Sequence, residues 1–307
     1  VTITTSNDGF AGNGDIIVNS AISKTSGASA TLKLSAYRNI IVNSAINSSS
    51  GIDMPVTLQA NNADTGSGYV QINAGVKNTA NSTGTLTIGG GSNIATGYAY
   101  GNAGQAAGVA INAGVGRSTL TVSIRGHGYD NAAGDDNYGV IVTTGGNTNQ
   151  NSGSYNITGV GGNGVNQNYG IYINNVAITS STSGSKTFSG TGGGTGSNNY
   201  GVYVNNATVS TGNSNVTITG TGGGSGAGTN NYGVYVNGTG VIGTTGSGSV
   251  GLTGIRGGGD TATNYGFYGT GANSLYTSGS GNITLGADTV FLGAATFCHQ
   301  CHPYQNK

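Results

Sequence analysis

The only two cysteines of the chain lie among its last ten residues, in Phe297-Cys298-His299-Gln300-Cys301-His302-Pro303. Two thiols three residues apart, followed directly by an imidazole, match the attachment pattern of a c-type haem. Cys298 and Cys301 would form the thioethers and His302 would bind the iron. The same segment offers a second chemistry. Cys298, His299, Cys301 and His302 could hold zinc through two thiolates and two imidazoles. Haem lacks an obvious second axial ligand. His299 sits inside the attachment loop, and the other candidates, His127 and Met54, are distant in sequence. Such a ligand would come from another subunit or be absent. With both cysteines at one end, no disulfide framework can hold the body of the chain.

Acid-base chemistry has one candidate cluster: Asp130, Asp135 and Asp136, with Arg125 and His127 nearby. Hydrolases and lyases that act on polysaccharides need paired carboxylates on one face. Gly126-His127-Gly128 has the look of a polygalacturonase motif, but the paired acids follow it here rather than precede it. A glycine-rich loop with solvated charges accounts better for the segment. Asp does not recur at nine-residue spacing, so calcium-binding nonapeptide repeats are excluded. Gly184-Ser185-Lys186-Thr187 lacks the order of a phosphate-binding loop. Ice binding would need Thr pairs on nearly every turn. An outward row of Thr57, Thr87, Thr121, Thr187, Thr217 and Thr284, with Thr219 beside it, is too irregular for that. The expectation is a protein without catalysis.

The elements that position these residues follow from repetition. Asn-Tyr-Gly occurs at Asn137-Tyr138-Gly139, Asn168-Tyr169-Gly170, Asn199-Tyr200-Gly201, Asn231-Tyr232-Gly233 and Asn264-Tyr265-Gly266. From Tyr138 to Tyr265 the spacing grows only from 31 to 33. A nearly fixed period of this size means units that bury their apolar faces only against their neighbours. In the copy spanning 200–231, three short alternating runs are separated by corners, and a glycine tract over 221–229 closes the unit. This describes one turn of a β-helix with three strands. Earlier, Asp15-Ile-Ile-Val-Asn-Ser-Ala-Ile22 returns as Asn39-Ile-Ile-Val-Asn-Ser-Ala-Ile46, an offset of 24. The sequence therefore predicts an all-β, right-handed parallel β-helix of ten to twelve turns. It would cover 1–296, with turns of about 24–39 over 1–126 and 31–33 over 127–296, and a tail at 297–307. The hand follows from the parallel-crossover rule.

Alternation assigns the faces. Tyr200, Val202 and Val204 share one face, which is placed inside. Tyr172, Tyr203, Tyr235 and Tyr268 fall on the other and predict an exposed aromatic ladder. At the corner, Asn168, Asn199, Asn231 and Asn264, followed by Tyr169, Tyr200, Tyr232 and Tyr265, predict an amide and aromatic ladder in which each Asn bonds the turns above and below. Glycine is expected at corners that need positive φ.

Composition excludes several classes. Of 307 residues 62 are Gly and 2 are Pro, yet Gly is not every third residue, so the chain is not collagen-like. Nine basic residues balance nine Asp, with no Glu and no basic stripe. That excludes the electrostatic footprint of a nucleic-acid binder. No apolar run approaches the length of a membrane span. The chain begins at Val1 without a signal-like segment, so the expectation is a processed protein or a piece of a longer one. Neither end carries an amphipathic helix or a charged cap. Open solenoid edges predict end-to-end pairing of copies.

Gly14-Asp-Ile-Ile-Val-Asn-Ser-Ala-Ile-Ser23, Ala30-Thr-Leu-Lys-Leu-Ser-Ala36 and Arg38-Asn-Ile-Ile-Val-Asn-Ser-Ala-Ile46 together resemble the filamentous-haemagglutinin-like exoproteins of two-partner secretion. The match is closest over 14–76. The resemblance implies a long right-handed β-helix on a bacterial surface, acting as an adhesin or matrix component on host or bacterial glycans and proteins. Some members end in a disulfide hook that holds the chain at its outer-membrane secretion pore. Cys298 and Cys301 would take that role, with no resident cofactor. The amino-terminal secretion domain of that family is not recognisable in this sequence.

Overall fold

The structure, a computed structural model, describes residues 1–7, 9, 14–77, 84–116, 120–146, 148–150, 153–260, 262–272, 274–293 and 297–299, the backbone alone at 148–150 and 297–299. Short runs rich in Val, Ile and Thr form strands of two to seven residues. Ten strands stack into a first sheet, from Thr2–Thr4 through Thr121–His127 and Lys186–Thr191 to Ile283–Ala287. Ten more form a second sheet, from Ile16–Val18 through Val202–Asn205 to Val290–Leu292. A third sheet of six strands runs from Thr148–Gln150 to Phe297–His299. On the earlier turns Ile22–Lys24 pairs with Ile46–Ser48, and the bridges Ile46↔Val76 and Val76↔Val115 carry the pairing onward.

The chain passes from second sheet to third to first, then returns to the second one strand higher. All the strand pairings are parallel, as in Ile171↔Val202 and Val202↔Val234. The result is a parallel β-helix of about nine turns, fewer than the ten to twelve expected. The longest turn lies between Val70 and its register partner Val109, a wider interval than those from Ile40 to Val70 and from Val109 to Val140. There the chain makes an excursion in which Ala99–Tyr100 pairs at the side of the first sheet instead of founding a further turn. The early turn that brings Ile16 beside Ile40 is shorter than the late one that brings Val234 beside Phe267.

One apolar core runs the length of the coil. Leu34, Leu58, Ile88, Ile124, Phe188 and Ile218 of the first sheet face Val42, Ile72, Val142, Ile173, Val204 and Val236 of the second. Each turn contributes too few residues to close a core of its own, so stability comes from the contact between turns. Among the described residues no helix is long and apolar enough to cross a membrane.

Where the first and second sheets meet, side chains give way to glycine. Gly126, Gly159, Gly190, Gly220 and Gly254 face Gly139, Gly170, Gly201, Gly233 and Gly266. A Cβ at Gly190 would lie 2.1 Å from the Gly201 carbonyl oxygen, and one at Gly220 would lie 2.1 Å from that of Gly233. Backbone packs against backbone here. Positive φ is not the reason for these glycines. The left-handed corner before the first four Asn-Tyr-Gly copies is instead taken by Asp136 (φ 61°), Gln167 (58°), Asn198 (58°) and Asn230 (57°). The glycine tracts are ordered by neighbouring turns: Gly162, Gly193, Gly223 and Gly257 donate to the carbonyls of Asn137, Asn168, Asn199 and Asn231.

Candidate functional site

The Asn-Tyr-Gly corner builds the densest polar feature of the coil. Asn137, Asn168, Asn199, Asn231 and Asn264 are all buried. The side-chain oxygen of Asn199 accepts from the backbone N–H of Asn168 at 2.9 Å and from its Nδ2 at 3.0 Å. Asn231 and Asn264 accept in the same way from the backbone N–H groups of Asn199 and Asn231, at 2.9 and 2.8 Å. Amide-to-amide bonding ends at Asn199, whose Nδ2 turns to the Val165 carbonyl at 3.0 Å. Asn231 and Asn264 likewise donate to glycine carbonyls of the tract. These buried amides therefore tie successive turns together and are not presented to solvent.

The tyrosines depart from the expected faces. Tyr200 does not share the interior with Val202 and Val204. Tyr169, Tyr200 and Tyr232 form a separate cluster outside the core, packed against Tyr138, Tyr172, Tyr203, Tyr235, Tyr265 and Tyr268. The strand begins only at Val202, so Tyr200 and Gly201 belong to the corner, where alternation no longer dictates the side. Tyr138, Tyr169, Tyr200 and Tyr232 stack at centroid separations of 5.1, 4.8 and 5.2 Å. Tyr172, Tyr203 and Tyr235 stack beside them at 5.0 and 4.8 Å. Between the columns the rings meet edge to face, as in Tyr200 and Tyr203 at 5.1 Å and 73°. The last turn shifts: Tyr268 stacks on Tyr232 at 4.5 Å and carries Phe291 on its other face at 4.5 Å.

This geometry decides what the surface can do. Within each column ring faces are consumed by the rings above and below, so solvent meets edges and hydroxyls. Burial pushes the phenols of Tyr138, Tyr169, Tyr200 and Tyr232 far above their ordinary pKa, and that of Tyr203 up to about 12. These groups stay neutral and take no part in proton transfer near neutral pH.

A second amide column has no counterpart among the sequence expectations. Asn19, Asn43, Asn73 and Asn112 each follow a strand of the second sheet. They link by side-chain bonds of 3.0, 2.9 and 3.0 Å, with Thr143 closing the run at 3.1 Å. The same position continues as Asn174, Asn205, Asn237 and Thr270, bonded at 2.9, 3.0 and 2.9 Å. Its signal is the Asn that directly follows most of the Ile-x-Val, Val-x-Ile, Ile-x-Ile and Val-x-Val strands, visible in the repeats of 15–22 and 39–46.

On the first sheet, hydroxyls form the outward rows. Thr57 pairs with Thr87, Thr187 with Thr217, and Ser189 with Thr219. Thr121 is not in the row of Thr87. It pairs with Thr85, two residues earlier, and Ser123 stands opposite Thr87. Asn156 and Gly251 interrupt the row further on.

The acidic cluster is absorbed by the fold. Asp130 and Asp135 accept from the backbone N–H groups of Asn163 and Asn166 on the next turn, at 2.8 and 2.7 Å. Asp136 accepts from the Tyr138 hydroxyl at 2.7 Å. The His127 ring stacks on Tyr100 at 4.5 Å, with Nδ1 2.8 Å from the Gly128 carbonyl. Asp130 and Asp135 thus anchor the next turn, while Asp136 is held by a tyrosine of its own turn.

At the tail, Tyr276 and Thr277 pair with Cys298 and His299 in the last strand of the third sheet. The side chains of Cys298 and His299, and all of Gln300, Cys301 and His302, lie outside the described residues, and with them the haem, zinc and disulfide expectations. Among the described residues no group of three or more His, Cys, Asp or Glu is placed to hold a metal ion. No family model, curated protein or solved structure matches this chain.

Proposed function

We propose that the chain is a structural and adhesive β-helix of a bacterial surface, of the filamentous-haemagglutinin-like kind, exported and held outside the cell. The observation that carries this reading is where the polar side chains are used. Asn and several Asp side chains are committed to bonds between turns and Tyr rings to stacking between them, and outer faces of hydroxyl and amide groups remain for contact. Such a body is built for reach and rigidity, with repeated shallow contacts in place of a single enclosed site. The resemblance over 14–76 supports the family and the surface location. Cys298 and Cys301 are assigned to a disulfide hook at the secretion pore, and copies to end-to-end association.

Immobilised full chain tested against a broad panel of glycans and cell surfaces should show retention, and electron microscopy should show rods. Absence of retention by any surface, together with absence of self-association, would remove the adhesive reading. Intact mass addresses the tail. A loss of two hydrogens is expected for the hook, whereas a haem-sized gain with a Soret band would replace it by a covalent haem.

A further inference from the structure

On the outer face of the first sheet, described residues form a walled site. The segment 91–98 folds back over the strand Thr85–Gly90, placing Ile94 Cδ1 3.3 Å from where a Cβ on Gly89 would stand. The segment is fixed in place: the Ser92 backbone N–H donates to Asp64 at 3.0 Å, Gly91 to the Ala60 carbonyl at 3.1 Å, and Gly97 to the Asn93 carbonyl at 2.7 Å. Ile94 and Ala95 thereby form one wall of a groove of about 350 Å³, whose floor is Thr87, Ser123, Asn156 and Thr158. Arg125 stands in this groove, half-buried, 5.9 Å from the Tyr98 ring.

Arg125 differs from the other described arginines. Arg38 and Arg256 are paired with Asp15 and Asp288. Among the described residues Arg125 has no carboxylate partner, and no hydrogen bond holds its guanidinium. A half-buried guanidinium with its fork of donors free is suited to a planar carboxylate. The floor supplies hydroxyls and an amide, and the wall supplies apolar surface. A sugar acid matches all three. Its carboxylate would meet Arg125, its hydroxyls the floor, and its C–H face Ile94 and Ala95.

The groove also opens onto a track. Thr158 stands in register with Ser189, Thr219 and Thr253 on successive strands, and the last three are exposed. Successive hydroxyls along it are about 4.8 Å apart, the spacing between strands. A sugar unit of an extended polysaccharide advances by a similar step. We propose that this face binds a linear polysaccharide bearing carboxylates, with one uronate unit seated at Arg125 and the following units lying along Thr158, Ser189, Thr219 and Thr253. This assignment rests on the adhesive reading above and names its ligand class.

The test is binding of the full chain to polygalacturonate, to dextran sulfate as a sulfated polysaccharide without carboxylates, and to dextran as a neutral one. Polygalacturonate should bind, more weakly as salt is raised. Arg125→Gln should weaken it roughly tenfold or more. Asn156→Ala and Thr158→Val, which keep the strand, should each weaken it several-fold. Arg256→Gln, whose guanidinium is paired elsewhere, should bind as the parent does. Circular dichroism of each variant guards against misfolding. Dextran sulfate bound in preference to polygalacturonate, or polygalacturonate binding indifferent to both Arg125→Gln and Asn156→Ala, would overturn the site. Dextran binding alone would overturn the acidic ligand while leaving an adhesive protein, and no retention of any glycan or surface would remove both.

Discussion

At the scale of single residues, identical amino acids carry opposite weight according to what stands beside them. Gly190 and Gly251 lie in adjacent regions of the first sheet. A Cβ on Gly190 would collide with the Gly201 carbonyl at 2.1 Å, while one on Gly251 would meet nothing within 4 Å. Gly190→Ala is expected to cost about 3 kcal/mol or to prevent folding. Gly251→Thr, between Thr217 and Thr284 in register, should be neutral or stabilise by up to about 1 kcal/mol. Denaturant midpoints of the two variants, moved in the same direction by the same amount, would refute the backbone seam. The asparagines divide similarly. Asn199→Ala removes the acceptor of two Asn168 bonds in a buried site and should cost about 1–3 kcal/mol. Asn43→Ala, in the exposed outer column, should cost under about 1 kcal/mol.

At the scale of elements, the tyrosine columns bind successive turns at a place where the core contributes nothing. Tyr200 touches Tyr169 and Tyr232 face to face and Tyr203 and Tyr235 edge to face. A double-mutant cycle between Tyr200 and Tyr203 should give a coupling of about 0.5–1.5 kcal/mol beyond the two single losses. A coupling near zero would mean that the columns stand independently. The stacked phenols should also give strong near-ultraviolet circular dichroism that weakens in Tyr200→Leu while the far-ultraviolet signal persists.

At the scale of the molecule, stability against pH is set by groups the coil has removed from water. Lys186 is fully buried, with Nζ 2.6 Å from Ser180 Oγ, and burial lowers its pKa from 10.5 to about 8. Between those values the unfolded chain binds the extra proton, so stability should rise as pH goes from 8 towards 10.5. Below about 8 the full desolvation cost, about 3 kcal/mol, is present. The tyrosines act in the other direction. Their folded pKa values are raised, so the folded state holds protons that the unfolded chain releases above pH 10, and stability should then fall. Melting temperature is expected to peak near pH 9–10, and Lys186→Met should reduce the rising limb, to which buried Lys77 also contributes, without changing the falling one. A rising limb unchanged in Lys186→Met would show that another group drives it. Because each turn contacts only its neighbours, amide exchange should be slowest for the central strands and fastest at Thr2–Thr4 and Val290–Leu292, whose residues are all exposed.

The parallel coil was legible in the residue pattern alone, because Asn-Tyr-Gly returning at near-constant spacing, with apolar alternation after each copy, has few other solutions. Placement of Val202 and Val204 inside, and of Asn168 and Asn199 in an amide ladder, could likewise be read from sequence, since alternation and amide chemistry act within a strand or between equivalent positions. The tertiary structure decided what happens across corners. A left-handed residue before four of the five Asn-Tyr-Gly copies redirects the chain, and parity counted along the sequence does not carry from Tyr200 to Val202. The glycine seam, the burial of Lys186 and the free guanidinium of Arg125 depend on which backbone or side chain a neighbouring segment brings close. Those distances arise only when turns of unequal length are packed on one axis.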